Sequence, residues 1–63
     1  MPNNLEIIER SIHAFQRVQR RMLLAKEENA VKTYADLKEE YTSLKAVLGT
    51  AGVNLTELDK IKE

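Results

Sequence analysis

Apolar side chains recur along the first half of this chain at Leu5, Ile8, Ile12, Phe15 and Met22, with Gln19 standing at the one interrupted position of a regular three-four spacing. At about 100° per residue these positions share one stripe of a helix, and Ile7, Ala14, Val18 and Ala25 make a second stripe beside it. The second half repeats the pattern as Ala30, Tyr34, Leu37, Tyr41, Leu44 and Leu48, a coiled-coil-like seam with gaps of four and three. Two amphipathic helices are therefore predicted, over about 5–28 and about 30–48. The apolar arc of the first covers roughly half its circumference, more than a single neighbouring helix conceals, so that helix is expected to touch two neighbours.

The punctuation agrees with this division. Asn3 with Glu6 three residues on has the spacing of a capping box at the start of the first helix. Residues 5–28 contain neither Gly nor Pro. Asn29 is placed to end the helix in a left-handed conformation, and the second helix is expected to begin at Ala30 or at Thr33, where Thr33 and Asp36 form a capping-box-like pair. A single unbroken helix over 5–48 is the competing reading. It is disfavoured because continuing the first seam would require apolar residues at 26 and 29, where Lys26 and Asn29 stand. Gly49 is expected just beyond the second helix, followed by a linker over 49–53. Asn54 as cap, Glu57 three residues later, and Val53 with Leu58 as a hydrophobic staple then predict a short third helix over about 55–62.

The fold expected for residues 1–63, one small domain, is thus all-α: an antiparallel helical hairpin plus a short C-terminal helix. With 63 residues such a chain buries only about 60% of the surface its unfolded form exposes. It has no cysteine and one histidine, which removes disulfides and Cys/His zinc sites as staples. Pairing of two chains as a homodimer, a dimeric four-helix bundle, is the expected source of the missing burial; a three-helix monomer is the alternative. The residues expected along the oligomer seam are Ile8, Ile12, Phe15, Gln19, Met22, Tyr34, Leu37, Tyr41, Leu44 and Leu48. Gln19 either fixes register and oligomeric state by bonding to its counterpart or lifts its amide to the seam's edge. Leu55, Leu58 and Ile61 form a small apolar face, a docking tail that covers the end of its own bundle or enters a groove on another protein.

Charge changes the picture more than composition does. The formal net charge is zero, yet residues 1–26 carry four arginines and one lysine against two glutamates, while residues 27–63 carry five lysines against eight acids. Arg10, His13, Arg17, Arg20 and Arg21 fall within about 100° of the polar side of the first helix. Such a stripe suits an acidic protein partner, intersubunit ion pairs or, less favoured, phosphates of nucleic acid. No aromatic residue is interleaved with these arginines, and the acidic second helix lies close by, both of which weigh against nucleic acid.

Catalytic and metal chemistry find little support. His13 has Glu9 one turn away but no nucleophile beside it. Adjacent acids such as Glu27-Glu28 and Glu39-Glu40 diverge on a helix and do not chelate together. The Glu-x-x-His motif of di-iron bundles is missing, since Arg10 stands where its glutamate belongs. No cofactor, metal site or enzymatic activity is expected. Apolar runs fall far short of the roughly 20 residues that span a bilayer, and Met1-Pro2-Asn3-Asn4 lacks the features of a secretory signal, so a cytoplasmic location without membrane association is expected. The function expected is that of a non-enzymatic helical interaction or regulatory module, with a small nucleic-acid-binding protein using the arginine face as the alternative.

Overall fold

A computed structural model describes residues 4–62. Two helices dominate it, α1 over Asn4–Glu27 and α2 over Val31–Thr50, packed against each other as a hairpin. No strand occurs among the described residues. The Asn3 half of the expected capping box lies outside them. The Cα radius of gyration is 12.3 Å, longer than the ~10.6 Å of a compact domain of this length, because one helix of 24 residues sets the long axis.

The hairpin turn forms as the sequence implies. Asn29 has φ 59°, a left-handed conformation that Asn tolerates better than most residues. Its amide donates to the Lys26 carbonyl at 3.2 Å and the Ala30 amide to the Ala25 carbonyl at 2.8 Å, the bond pair of a Schellman motif. These bonds satisfy carbonyls that the end of α1 leaves open. At the start of α2, Ala30 makes no side-chain cap bond, so the capping-box-like pair at Thr33 and Asp36 does not mark the boundary.

The other end of α2 differs from expectation by one turn. The helix runs through Gly49 to Thr50, and the left-handed residue is Gly52, at φ 81°. Its amide reaches the Gly49 carbonyl at 3.1 Å, while the Val53 amide reaches that of Leu48 at 3.0 Å. Both glycines permit a C-terminal turn. Placing it at Gly52 brings Val53 against the core cluster that includes Leu48, the apolar contact that accompanies this motif.

The core lies along the expected seams, but within one chain. Phe15, Met22 and Leu48 have 0% exposure, and Val18, Ala25 and Tyr41 are also buried. Phe15 and Tyr41 stack with ring centroids 5.3 Å apart and planes at 19°. Ile12, Tyr34, Leu37 and Leu44 are partly buried against this cluster, while Ile8 is half-buried. The residues read as an oligomer seam therefore close the hairpin on itself and on its own tail.

That tail supplies α1's second neighbour. Val53, Leu55, Leu58 and Ile61 pack against the core cluster, but the segment over 55–62 is not the regular helix the sequence suggested. It makes one turn, closed by the Asp59 amide donating to the Leu55 carbonyl at 2.8 Å, with Asn54 Oδ1 accepting from the Thr56 amide at 2.9 Å. A helix this short is marginal on its own. The amides of Lys60, Ile61 and Lys62, which would continue it, donate instead to the side chains of Gln19 and Asp59.

Alanine at Gly52 is expected to lower stability by about 1–2 kcal/mol, the cost of holding a Cβ in the left-handed region. Alanine at Asn29 is expected to lower it by less, because Asn already carries a Cβ there and only its better tolerance of that region is lost. A Cβ at Gly52 meets nothing within 4 Å, so there the penalty is one of backbone alone. Asn29→Gly is expected to be close to neutral. Urea denaturation followed by helical circular dichroism measures each, and an unchanged midpoint in Gly52→Ala would contradict the assigned cap.

Candidate functional site

Two surfaces have the residue chemistry for recognition. One is the clamp that seats the tail, and the other is the outer face of α1.

The clamp begins with Gln19, whose spacing puts it on the core side of α1, where it is 3% exposed. An amide so buried must find both donors and acceptors inside the protein. Its Nε2 donates to the Leu58 carbonyl at 2.8 Å, and its Oε1 accepts from the Ile61 amide at 3.1 Å and from the Lys60 amide. Neither expectation for this residue describes what it does, for both ends of the amide are engaged with the backbone of the tail.

A second anchor comes from α2. Tyr41 and Lys45 are four residues apart, one turn along the same face. The Tyr41 hydroxyl donates to Asp59 Oδ1 at 2.6 Å, and Lys45 Nζ lies 2.9 Å from Asp59 Oδ2. The Lys62 amide adds a third donor, to Oδ1 at 2.8 Å. Lys45 Nζ also sits 5.5 Å from the centroid of the Tyr41 ring. Asp59 is 7% exposed. Its burial pushes the carboxyl's pKa up, but the bonds from Tyr41, the Lys62 amide and Lys45 outweigh that and hold it below the ordinary value. Lys45 is held above its ordinary value, chiefly by its bond to Asp59 and against a smaller effect of desolvation. Among the described residues no buried side-chain nitrogen or oxygen is left without a partner.

Sequence reading placed Tyr41 in the seam but singled out neither Asp59 nor Lys45 as a partner for its hydroxyl. The available signal was the pairing of a seam tyrosine with a lysine one turn on, opposite a segment that carries an aspartate between Leu58 and Ile61.

The outer face of α1 carries Arg10, His13, Arg17, Arg20 and Arg21, all exposed. Among the described residues none of the four arginines is held in an ion pair. Leu24, more than half exposed, falls in the middle of the same ~100° arc, and sequence reading missed it. A shallow depression lined by Arg20, Arg21, Leu23, Leu24 and Glu27 lies at the C-terminal end of the stripe. Leu55, Leu58 and Ile61, read as a docking tail, are folded onto their own hairpin and half-buried.

His13 and Glu9 are both exposed on α1. Among the described residues no group of three His, Asp or Glu side chains is gathered in a way that could hold a metal ion. No helix among them is long and apolar enough to cross a membrane. No protein-family model matches the chain, and no curated protein or solved structure is significantly similar to it.

The clamp sets a pH window for the docked tail. Asp59's folded value is depressed, so its contribution is fully present above the unfolded carboxyl value, about 3.9, and is lost as pH falls through the lower folded value. Lys45's folded value is raised, so its contribution is present below about 10.4 and is lost as pH rises through the higher folded value. Stability is expected to stay level between these limits and to fall outside them. Asp59→Asn should flatten the acid limb in a pH series of urea denaturations; an acid limb unchanged by that substitution would contradict the assignment.

Proposed function

We propose that this protein is a non-enzymatic binding module whose working surface is the outer face of α1, and that it engages an acidic segment of another protein. The observation that carries this reading is the contiguous, exposed row of Arg10, Arg17, Arg20 and Arg21, none of them neutralised by an ion pair among the described residues. The seams of both helices are occupied within the chain, which leaves the surface to do the recognising.

Physical chemistry favours a carboxylate-rich partner. Each guanidinium presents a fork of donors that matches a carboxylate, and it loses less hydration on binding than an ammonium does. Leu24, exposed at the C-terminal end of the stripe beside Arg20 and Arg21, gives a place for one apolar anchor next to the charged row. The row from Arg10 to Leu24 is about 21 Å long at 1.5 Å per residue, enough for four turns of a partner helix. Two copies pairing through other surfaces would place two such rows on one particle and raise avidity without any new contact. A cytoplasmic setting is consistent with this reading.

The test compares the wild-type chain with Arg17→Glu combined with Arg21→Glu, both immobilised and exposed to nuclease-treated extract. The wild type is expected to retain an acidic protein that the double variant loses, and that protein, once purified, should bind wild type more weakly as salt is raised. Recovery unaffected by the charge reversal would overturn the reading. So would a catch that disappears on nuclease treatment, with direct DNA or RNA binding that falls steeply with salt; that outcome assigns the stripe to nucleic acid.

A further inference from the structure

The tail is held in a manner that differs from the packing of α1 on α2. Its apolar side chains, Leu55, Leu58 and Ile61, are only half-buried, whereas its main chain and Asp59 are bonded to side chains of both helices. Three of them join the Gln19 amide to main-chain groups, the Leu58 carbonyl and the Lys60 and Ile61 amides. Such contacts recognise a backbone path and ignore side-chain identity. One carboxylate is then read specifically, by the Tyr41 hydroxyl and the Lys45 ammonium. Backbone capture combined with one charged pocket is the general logic of peptide-recognition sites.

We propose that the groove between α1 and α2 that holds residues 55–62 is a peptide-binding site, and that in trans it takes a short acidic segment of a partner protein reading apolar-x-x-apolar-Asp-x-apolar. The chain's own Leu55, Leu58, Asp59 and Ile61 are the tethered occupant and define that ligand's chemistry. The complementary charge is in place: Lys45 is the cation that meets the aspartate, and the groove's outer edge carries Arg20 beside Gln16, Gln19 and Leu23. Release does not require α1 and α2 to separate, because Gly52 and the residues after it lie outside both helices. A tail on so short a connector competes at an effective concentration in the millimolar range, so a partner's apparent affinity is reduced in proportion to the fraction of open groove.

This site shares only Arg20 with the arginine stripe, and Arg17 and Arg21 lie outside it, so the two readings are tested independently. The experiment uses the full chain and a fluorescent peptide with the sequence of residues 53–62, followed by anisotropy. The wild type is expected to bind the peptide weakly. Full-length Asp59→Asn, whose own tail has lost its charge contact, should bind it about tenfold more tightly, because more of its grooves are open. Adding Lys45→Glu to that variant, or using a peptide with its aspartate changed to asparagine, should abolish the gain. Arg17→Glu with Arg21→Glu should leave binding unchanged.

If Asp59→Asn loses its helical signal, the wild type remains a sufficient test. Excess peptide should then shift the side-chain amide resonance of Gln19 and should fail to do so when the peptide carries asparagine. Absence of binding to either chain up to about 1 mM peptide, the scale of the tethered tail's own effective concentration, would overturn the proposal. Equal binding by wild type and Asp59→Asn, or loss of binding on reversal of Arg17 and Arg21, would overturn it as well.

Discussion

The side-chain amide of Gln19 sits on a face otherwise built from Phe15, Val18 and Met22, where an unpaired polar group costs about 1–3 kcal/mol. Its position obliges the chain to bring hydrogen-bonding partners to it. The backbone of residues 58–61 answers that demand, and the rest of the small architecture follows. Once the Lys60 and Ile61 amides are directed to Gln19, the tail cannot continue as a helix, Asp59 is turned toward Tyr41 and Lys45, and Leu58 and Ile61 come to rest on the core cluster. A two-helix hairpin has too little apolar surface to close a core; here the third layer is secured by polar contacts as well as by burial.

Much of this was written plainly in the sequence. The spacing of Phe15, Met22, Tyr41 and Leu48 identified the four largest side chains of the core, and Asn29 marked the hairpin turn where a left-handed residue is found. The width of α1's apolar arc required a second neighbour, and the tail supplies one within the same chain. Local signals failed where a tertiary contact outweighed them. Asn54, Glu57 and the staple pair Val53 and Leu58 spell a helix start, yet the segment is too short to hold a helix against the competing bonds from Gln19 and Asp59. The end of α2 was misplaced because Gly49 and Gly52 are locally equivalent; packing of Val53 chooses between them.

The candidate surfaces divide along the same line. The arginine stripe was visible because it depends on helical periodicity alone, and it remains exposed. The clamp was hidden because it joins residues about 40 positions apart, Gln19 with Leu58, Lys60 and Ile61, and periodicity carries no information about such pairs. Charge is distributed accordingly. Among the described residues the arginines of α1 face outward without an ion-pair partner, whereas the buried carboxylate of Asp59 is engaged with partners from α2 and the tail. Recognition proposed for the first surface would be long-range and salt-sensitive, whereas the Asp59 clamp acts at contact distance, with its carboxylate buried and its lysine about a third exposed.

Amide hydrogen exchange by NMR on the wild-type chain near neutral pH, read at Lys60, Ile61 and Lys62, tests the central claim that polar anchoring of the tail completes the fold. These three amides lie outside both helices, so protection there reports their bonds to Gln19 and Asp59. The account predicts that they are protected together in the wild type, and that Gln19→Ala removes this protection while the amides in the middle of α1 and α2 remain slow. Exchange of Lys60, Ile61 and Lys62 at the rate of an unstructured peptide in the wild type would contradict it.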